Sequence, residues 1–520
     1  MTWIVNGERN GMIELISKGS VDGMLPKGSY LTVEEGDSRF ILRVDNTKQN
    51  DPYSPSSMLI DMDLGTMIQD RKSQNIISAF RVKTISNRED GLIDYIRPQS
   101  IARRSNQSEI NDALGTEKYG PRVFLSTIYA GQNQLLRDES NTLLTATLPI
   151  DMFYHQMLIC GKTGSGKTVA MKYLAQYFVE ELGGCVLAIN VKEADFLRMD
   201  KESNSDNSNI IKEWEDLKMS PHPISSFIVY YPANSDISDK TGVNPEISKR
   251  ITLKVEEIDP DSLSGLIQGI TDSAAQSLPN IFRWWLERKK ESNEEITFNG
   301  FINYFQNAIN DKLFFNTMNI RGEEGSIKLH RATYDSIMKK FDAISYFFDN
   351  ENAISLNESD ILIKGQMSVI DVASKNGITF GSILLRNLLN KIVTAKARKE
   401  YNIPVLIIID EVHMFYNSNA SSEALGDLDT ICRTGRSMKI GVIFASQNPS
   451  DIPRGLSSVI NTKIFFKSDA PQVKTLGVNV TPQEMESLGK GYAIGSIHDL
   501  SQLKYFRFPL SLSGVFDKED

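Results

Sequence analysis

The sequence predicts an α/β protein with a mostly parallel sheet, a small β-barrel ahead of it and a helical insertion within it. Three observations lead to this prediction. Short strand-like segments separated by glycines and polar turns fill residues 1–110 of the 520-residue chain. From about residue 150, compact apolar runs alternate with helical stretches. Between about residues 233 and 355 that alternation stops and helical patterns dominate.

Residues 1–110 are predicted to form the β-barrel. The segments SYLTVEE, RFILRVD, SSMLIDMDL and AFRVKTIS in this region each fit the two-residue period of a strand. Several short strands at this spacing are typical of a small barrel. The polar stretch at 103–122 is interpreted as a connection, and residues 111–149 are assigned to a connector.

Residues 150–232 and 356–520 are predicted to form the core with the parallel sheet. Apolar runs with little polar alternation indicate strands buried on both faces, and helices between such strands indicate a doubly wound sheet. Residues 233–355 interrupt the core as a mostly helical insertion, in which Trp284 and Trp285 are interpreted as helix-packing residues rather than DNA contacts. The apolar runs are HQMLICG, CVLAIN, FIVYY, QMSVIDV, VLIIID and GVIFAS.

The composition excludes some classes of protein. A net charge of −9 and a pI near 5.4 argue against a globally basic DNA-binding protein, although a ring or groove needs only a local basic lining. Cys160, Cys185 and Cys432 have no CxxC spacing and are expected to be buried thiols in a reducing compartment. No 18-residue apolar run occurs, so we expect a cytoplasmic protein without membrane association.

GKTGSGKT, residues 161–168, is a complete G-x-x-x-x-G-K-[ST] sequence between an apolar strand and an amphipathic helix. Its glycines let backbone N–H groups surround phosphate oxygens at the positive end of the helix. Lys167 is expected to reach the β- and γ-phosphates of ATP, and the Thr168 hydroxyl to ligate Mg²⁺. The alternative, a glycine turn without a ligand, does not account for both flanking elements. The predicted nucleotide-binding residues are Gly161, Lys162, Thr163, Gly164, Ser165, Gly166, Lys167, Thr168 and Val169.

VLIIIDEVH, residues 405–413, predicts a buried strand that ends in two carboxylates. Ligands bind at the carboxyl ends of the strands in α/β sheets. Asp410 is therefore expected to hold Mg²⁺, and Glu411 to orient and deprotonate the attacking water. The carboxylate next to Asp410 favours ATP hydrolysis over phosphoryl transfer to a small substrate, and the lack of an N-K-x-D sequence favours ATP over GTP. His413 either contacts the γ-phosphate or caps the strand end.

ICRTGRSMKIGVIFASQNPSDIP, residues 431–453, places two arginines ahead of another apolar strand. That strand ends at Gln447, whose amide is expected near Asp410 as a sensor of the γ-phosphate. The helix before it is expected to end near Gly435. Arg433 and Arg436 are candidates for an arginine finger that acts on a neighbouring subunit's nucleotide. A surface ion pair is the alternative for each, and the sequence does not decide which arginine acts.

Three segments resemble the HerA/FtsK family of hexameric P-loop translocases, and HerA most closely: LICGKTGSGKT, IIIDEVH and CRTGRSMKIGVIFASQNPSDI. The resemblance implies a RecA-like P-loop core, a HerA-type assembly barrel and a helicase-like ATPase that uses ATP and Mg²⁺. It also implies a homohexameric ring that encircles and translocates double-stranded DNA. A partner nuclease of the NurA type, or another effector in bacterial anti-phage defence, is implied as well. The roles carried over by matching position are those of Lys167, Thr168, Asp410, Glu411, Gln447, Arg433 and Arg436.

Two departures from the family pattern suggest a divergent bacterial branch. NVKEADFL stands where many HerA proteins have an Asp-Pro-His-Gly-Glu-like segment, so the roles of Asn190, Lys192 and Asp195 stay open. Tyr154-His155 stands where an Arg-His pair is common. Two other functions are considered beside the DNA translocase. One is a conjugation or secretion ATPase, and the other is a nucleotide-gated scaffold whose ring activates an effector without processive translocation.

Overall fold

The structure, a computed structural model, divides into two compact units. The first contains Met1–Met152, Gly161–Lys167 and Thr462–Pro509, and the second contains Phe153–Cys160, Thr168–Asn461 and Leu510–Asp520. The predicted strand at 56–64 and the residues Asp195, Cys432 and Arg433 lie outside the described residues. Described are residues 3–18, 23–50, 74–86, 94–129, 132–192, 196–235, 243–267, 272–374, 377–415, 434–452, 459–500 and 502–516.

The first unit begins with a closed six-stranded barrel, with the strand order β1-β2-β5-β4-β3-β6. Alternate side chains of these strands fill its interior, among them Trp3, Leu31 and Phe40, which are almost fully buried. The barrel predicted from the sequence is thereby confirmed. Its strands are β1 (Trp3–Arg9), β2 (Met12–Lys18), β3 (Tyr30–Glu35), β4 (Ser38–Asn50), β5 (Gln74–Ile85) and β6 (Ile101–Arg104).

A two-residue turn joins β1 and β2, which pair as a hairpin from Arg9 opposite Met12. Both turn residues have positive φ, 52° at Asn10 and 74° at Gly11. Turns of this kind match the twist of paired strands, and Asn-Gly is their preferred sequence. This hairpin was not among the predicted strands, although its Asn-Gly signal is present in the sequence.

The residues assigned to the connector contain regular structure of their own. A helix, α1 (Gln107–Leu114), begins in the polar stretch and is followed by three strands. These strands pair antiparallel with one another through β7. They are β7 (Arg122–Tyr129), β8 (Gln132–Leu135) and β9 (Thr145–Thr147).

The second unit contains a parallel sheet with the strand order β16-β13-β12-β17-β11-β18-β19-β10. Every residue of β10, β11, β17, β18 and β19 is buried, which confirms the predicted parallel sheet. The free thiols of Cys160 and Cys185 lie in these strands. In chain order the strands are β10 (Gln156–Cys160), β11 (Cys185–Asn190), β12 (Ser226–Pro232), β13 (Ser248–Thr252), β14 (Phe314–Met318), β15 (Glu324–Lys328), β16 (Ile354–Ser355), β17 (Gln366–Asp371), β18 (Val405–Ile409) and β19 (Ile440–Ser446).

Helices connect these strands and make up most of the insertion, as predicted. The insertion has an aromatic core in which Phe298 stacks on Phe348 at 3.9 Å between ring centroids, and β14 and β15 add a hairpin. Trp285 is only 2% exposed, which confirms its packing role. Among the described residues, no helix has the length and apolar character needed to cross a membrane. The helices are α2 (Lys167–Glu180), α3 (Ser208–Asp216), α4 (Asp272–Ser292), α5 (Phe298–Asn307), α6 (Arg331–Ile344), α7 (Glu358–Ile361) and α8 (Gly377–Ala397).

Residues 510–516 of the second unit lie along α2. The Lys172 ammonium donates to the Gly514 carbonyl oxygen at 2.6 Å, and the Ser513 hydroxyl donates to the Gln176 side chain at 3.0 Å. The Trp214 indole N–H donates to the Leu510 carbonyl oxygen at 3.0 Å. The first two bonds give hydrogen-bond partners to Lys172 and Gln176, two buried polar side chains of α2.

Three further strands complete the first unit, in the antiparallel order β20-β21-β22-β7-β8. They come from residues 462–509, which were predicted to belong to the core with the parallel sheet. These elements are β20 (Thr462–Phe465), α9 (Ala470–Thr475), α10 (Pro482–Glu486), β21 (Tyr492–Ser496) and β22 (Tyr505–Arg507).

The Glu484 carboxylate of α10 is the centre of a buried polar network in the first unit. Its Oε1 accepts the Tyr505 hydroxyl at 2.5 Å and lies 3.1 Å from the Lys27 ammonium and 3.5 Å from that of Lys504. Its Oε2 accepts the Thr481 backbone N–H at 2.6 Å. Because Glu484 is only 5% exposed, these donors replace the water that an ionised carboxylate requires.

Candidate nucleotide site

The loop at 161–168 begins directly after β10 and runs into α2. Gly164 and Gly166 have φ of +76° and +111°, a region that favours glycine. A Cβ on Gly166 would also lie 2.9 Å from the backbone of Gly491. Gly166 is therefore required both by its backbone angle and by the space beside it.

Backbone hydrogen bonds brace this loop within the first unit. The Lys162 N–H donates to the Lys467 carbonyl at 2.9 Å, and the Gly491 N–H donates to the Ser165 carbonyl at 2.8 Å. The Lys167 ammonium is buried and donates to the Gly161 carbonyl at 2.5 Å. The Ser165 hydroxyl is buried with no hydrogen-bond partner among the described residues. A buried hydroxyl donor inside a curled loop fits a ligand with acceptor oxygens, such as a phosphate.

Two carboxylates follow β18 in the second unit. Asp410 is 1% and Glu411 is 3% exposed, and the Glu411 N–H donates to Asp410 Oδ1 at 2.9 Å. Glu411 has φ 46° and ψ 54°, the left-handed region, which costs a residue with a Cβ roughly 1–2 kcal/mol. Buried charges and strained backbone are both typical of functional sites. Carboxylate oxygens are also the protein ligands that Mg²⁺ prefers.

Gln447 reaches this acidic pair from the neighbouring strand. It follows β19 directly, and its Nε2 donates to Glu411 Oε1 at 2.9 Å. His413 lies on the other side, with Nδ1 3.7 Å from Glu411 Oε2 and 3.6 Å from Asp451 Oδ2. His413 thus lies between two carboxylates, a position that neither of its two sequence interpretations anticipated.

Lys192 is the residue at this site whose role the sequence left open. It lies two positions beyond the end of β11, the neighbour of β18 on the side away from β19. Its Nζ is 2.8 Å from Glu411 Oε1 and 3.9 Å from Asp410 Oδ2. Asn190, by contrast, donates to Asp371 Oδ1 at 2.9 Å and joins β11 to β17. Lys192 could have been proposed as a site residue from the sequence, because it is a charged residue just beyond the end of a fully buried strand.

Arg436 lies on the surface, in a helical stretch at 434–438. The expectation that this helix ends near Gly435 was wrong. A Cβ on Gly435 would lie 2.6 Å from the Ile440 carbonyl oxygen, so the glycine permits close packing instead. The chain reverses at Lys439, which has φ 54°. The structure therefore brings Gln447 and Lys192 to Glu411 and leaves Arg436 exposed.

Comparison with known proteins identifies relatives for most of this chain. A family model described as "Helicase HerA, central domain" matches residues 134–394, half of the chain. The chain is 24% identical over 337 residues to the DNA double-strand break repair helicase HerA of Saccharolobus solfataricus, covering 63% of this chain and 57% of the relative. For the protein of the same name from Pyrococcus furiosus the identity is 23% over 376 residues, covering 64% and 61%. The chain thus spans about three fifths of the length of these curated relatives.

Comparison with solved structures gives matches that include two proteins. VirB4 of Thermoanaerobacter pseudethanolicus has a TM-score of 0.45 and 13% identity, covering 76% of this chain and 97% of that chain. The plasmid coupling protein TrwB, in complex with the non-hydrolysable GTP analogue GDPNP, has a TM-score of 0.46 and 13% identity, covering 80% and 95%.

Proposed function

Because the chain belongs to the family of the HerA helicase central domain, we propose that it is a P-loop ATPase that uses hydrolysis to move double-stranded DNA. Its curated relatives are named DNA double-strand break repair helicases. The phosphate loop, the buried acidic pair and Gln447 supply the groups that such an enzyme needs.

Residues 161–169 are proposed to bind the phosphates of ATP, with Lys167 at the β- and γ-phosphates. The buried hydroxyl of Ser165 and the positive φ angles of the loop glycines support this assignment. Thr168 and Asp410 would hold Mg²⁺, which neutralises negative charge on the phosphate oxygens when bound. Glu411 would orient the attacking water and accept its proton.

The observation that carries this proposal is the hydrogen bond from Gln447 Nε2 to Glu411 Oε1, 2.9 Å long. It joins the ends of adjacent parallel strands, β18 and β19, and β10 on the far side of β19 leads into the phosphate loop. A contact between Gln447 and the γ-phosphate would therefore be transmitted directly to the proposed general base. This is the arrangement expected of a sensor.

The proposal extends to the assembly, where it rests on the family resemblance. A homohexameric ring would encircle double-stranded DNA, and Arg433 or Arg436 would act on the ATP of a neighbouring subunit. The exposure of Arg436 supports such a role. A NurA-type nuclease or an anti-phage effector would act with the ring. Addition of purified nuclease to the ring, with DNA cleavage as the readout, tests that part separately.

The central experiment measures ATP hydrolysis with and without duplex DNA on material of known mass. We expect six-subunit particles whose hydrolysis rises with duplex DNA and is lost in Lys167→Ala and Glu411→Gln. A monomer whose hydrolysis is indifferent to DNA would contradict the motor. A ring that hydrolyses ATP but displaces no triplex-forming strand from duplex DNA would instead support the nucleotide-gated scaffold.

A further inference from the structure

Lys192 contacts the acidic pair but has no part in the roles described above. We propose that Lys192 is a positioning residue for Glu411, holding its carboxylate in the orientation that hydrolysis requires. This inference rests on the proposed ATPase function and adds a residue to that same site. The contacts, the burial and the backbone of Glu411 each support it.

Two donors meet on one oxygen of Glu411. Lys192 Nζ lies 2.8 Å from Oε1 and Gln447 Nε2 lies 2.9 Å from the same atom. The donors come from β11 and β19, the two neighbours of β18. The last torsion of a glutamate side chain is soft, so donors on both sides of the strand are what fixes the plane of the carboxylate. Lys192 supplies the charged and stronger of the two bonds.

The other end of the Glu411 side chain is held by its backbone. The residue follows β18 at φ 46° and ψ 54°, and its N–H is bonded to Asp410 Oδ1. With the Cα fixed in this way, the two bonds at Oε1 restrain the carboxylate end of the side chain. A carboxylate that accepts a proton from water depends on such alignment, since a misplacement of 1 Å can cost about 100-fold in rate.

The charge balance points to the same residue. Asp410 and Glu411 are adjacent in sequence and almost fully buried, and buried carboxylates require compensating charge. Lys192 lies within 4 Å of both acids, while its own side chain stays 34% exposed. Lys192 thus supplies a positive charge beside both buried carboxylates.

The test compares Lys192→Met, which removes the ammonium but keeps most of the side-chain length, with Lys192→Arg, which restores the charge. Lys212→Met, at an exposed position of α3, is the matched control. We expect Lys192→Met to lower kcat for ATP hydrolysis by about 10- to 100-fold and to leave KM for ATP within about twofold. Lys192→Arg should recover most of the loss.

Several outcomes would overturn the inference. An unchanged kcat means that Lys192 does not position the base, and an increased kcat means that it restrains the base instead. A raised KM with normal kcat means that it binds nucleotide.

A measurement without nucleotide separates this inference from the proposed function. The unfolding free energies of four proteins form a double-mutant cycle: the natural chain, Lys192→Met, Glu411→Gln and the double variant. The double variant should lose less unfolding free energy than the sum of the two single losses. If the two losses simply add, Lys192 and Glu411 do not interact. If the natural chain hydrolyses no ATP, the proposed function fails while the cycle still decides whether Lys192 holds Glu411.

Discussion

Gln447 and Glu411 are 36 positions apart in the chain and are joined by a 2.9 Å hydrogen bond between their side chains. Their meeting follows from the register of two parallel strands, in which Ile409 lies opposite Phe444. Both residues lie just beyond that paired region, at the same edge of the sheet. Substitution of either residue should therefore alter the position of the other side chain.

Gln447→Ala should lower kcat for ATP hydrolysis by about 10- to 100-fold, because the proposed general base loses the amide donor at its Oε1. Nucleotide affinity should change little. Steady-state rates and titration with a fluorescent ATP analogue measure the two effects. Gln483→Ala, at an exposed position of α10, should behave like the natural chain. Weakened nucleotide binding with a normal kcat would contradict the sensor assignment.

Arg433→Ala or Arg436→Ala should reduce hydrolysis, by as much as about 10³-fold for the residue that acts as the finger, without preventing nucleotide binding. Mixing that variant with Glu411→Gln should restore part of the activity, because some interfaces then combine an intact arginine with an intact base. Hydrolysis in mixed rings of verified composition is the measurement. If the mixed rings form and stay inactive, the arginine does not act between subunits.

The parallel sheet of the second unit was predicted well because strands buried on both faces consist almost entirely of apolar residues. All six apolar runs became strands of the parallel sheet, and Asp410, Glu411 and Gln447 followed their ends as expected. The contact of Lys192 with Glu411 could not be predicted in this way. It depends on β11 lying beside β18, and the order of strands in a sheet is not specified by their order in the chain.

Local signals explain two of the differences between the prediction and the structure. The β1–β2 hairpin was not among the predicted strands, although Asn10-Gly11 marked its turn. The helix before β19 was ended too early because Gly435 was interpreted as a C-terminal signal. Glycine serves two purposes, terminating helices and permitting close packing, and only the nearby Ile440 carbonyl distinguishes them here.

Gly166→Ala should weaken nucleotide binding by at least about tenfold, because its φ of +111° is unfavourable for alanine and the new Cβ would collide with the Gly491 backbone. The phosphate loop would have to open. Gly477→Ala is the control, since it has a φ of +84° but nothing within 4 Å. That variant should lose roughly 1–2 kcal/mol of stability and bind nucleotide normally. Equal affinities for the two variants would show that the collision does not matter.

Glu484→Gln should remove a pH-dependent part of the stability. Burial raises the pKa of Glu484, but Tyr505, Lys504, the Thr481 N–H and Lys27 outweigh it and hold the pKa at about 2, below the ordinary 4.5. The unfolded chain therefore binds this proton more readily than the folded chain. The resulting stabilisation, on the order of 2–3 kcal/mol, should be present above pH 4.5 and be lost as the pH falls toward 2.

Urea unfolding of the natural chain and Glu484→Gln between pH 7 and pH 3 measures this contribution. The difference in unfolding free energy between the two proteins should narrow as the pH falls below about 4.5. A difference that stays constant over that range would mean that the Glu484 carboxylate is not held ionised by its neighbours.

The hydrogen bond between the Trp214 indole and the Leu510 carbonyl makes the fluorescence of Trp214 sensitive to the position of residues 510–516. The indole is 5% exposed and donates its N–H to the segment that lies along α2, the helix that begins at the phosphate loop. Release of residues 510–516 would remove that acceptor and admit water to the ring. The fluorescence of Trp214 would then shift to longer wavelength, and a variant in which the other three tryptophans are replaced by phenylalanine would report whether nucleotide binding disturbs this segment.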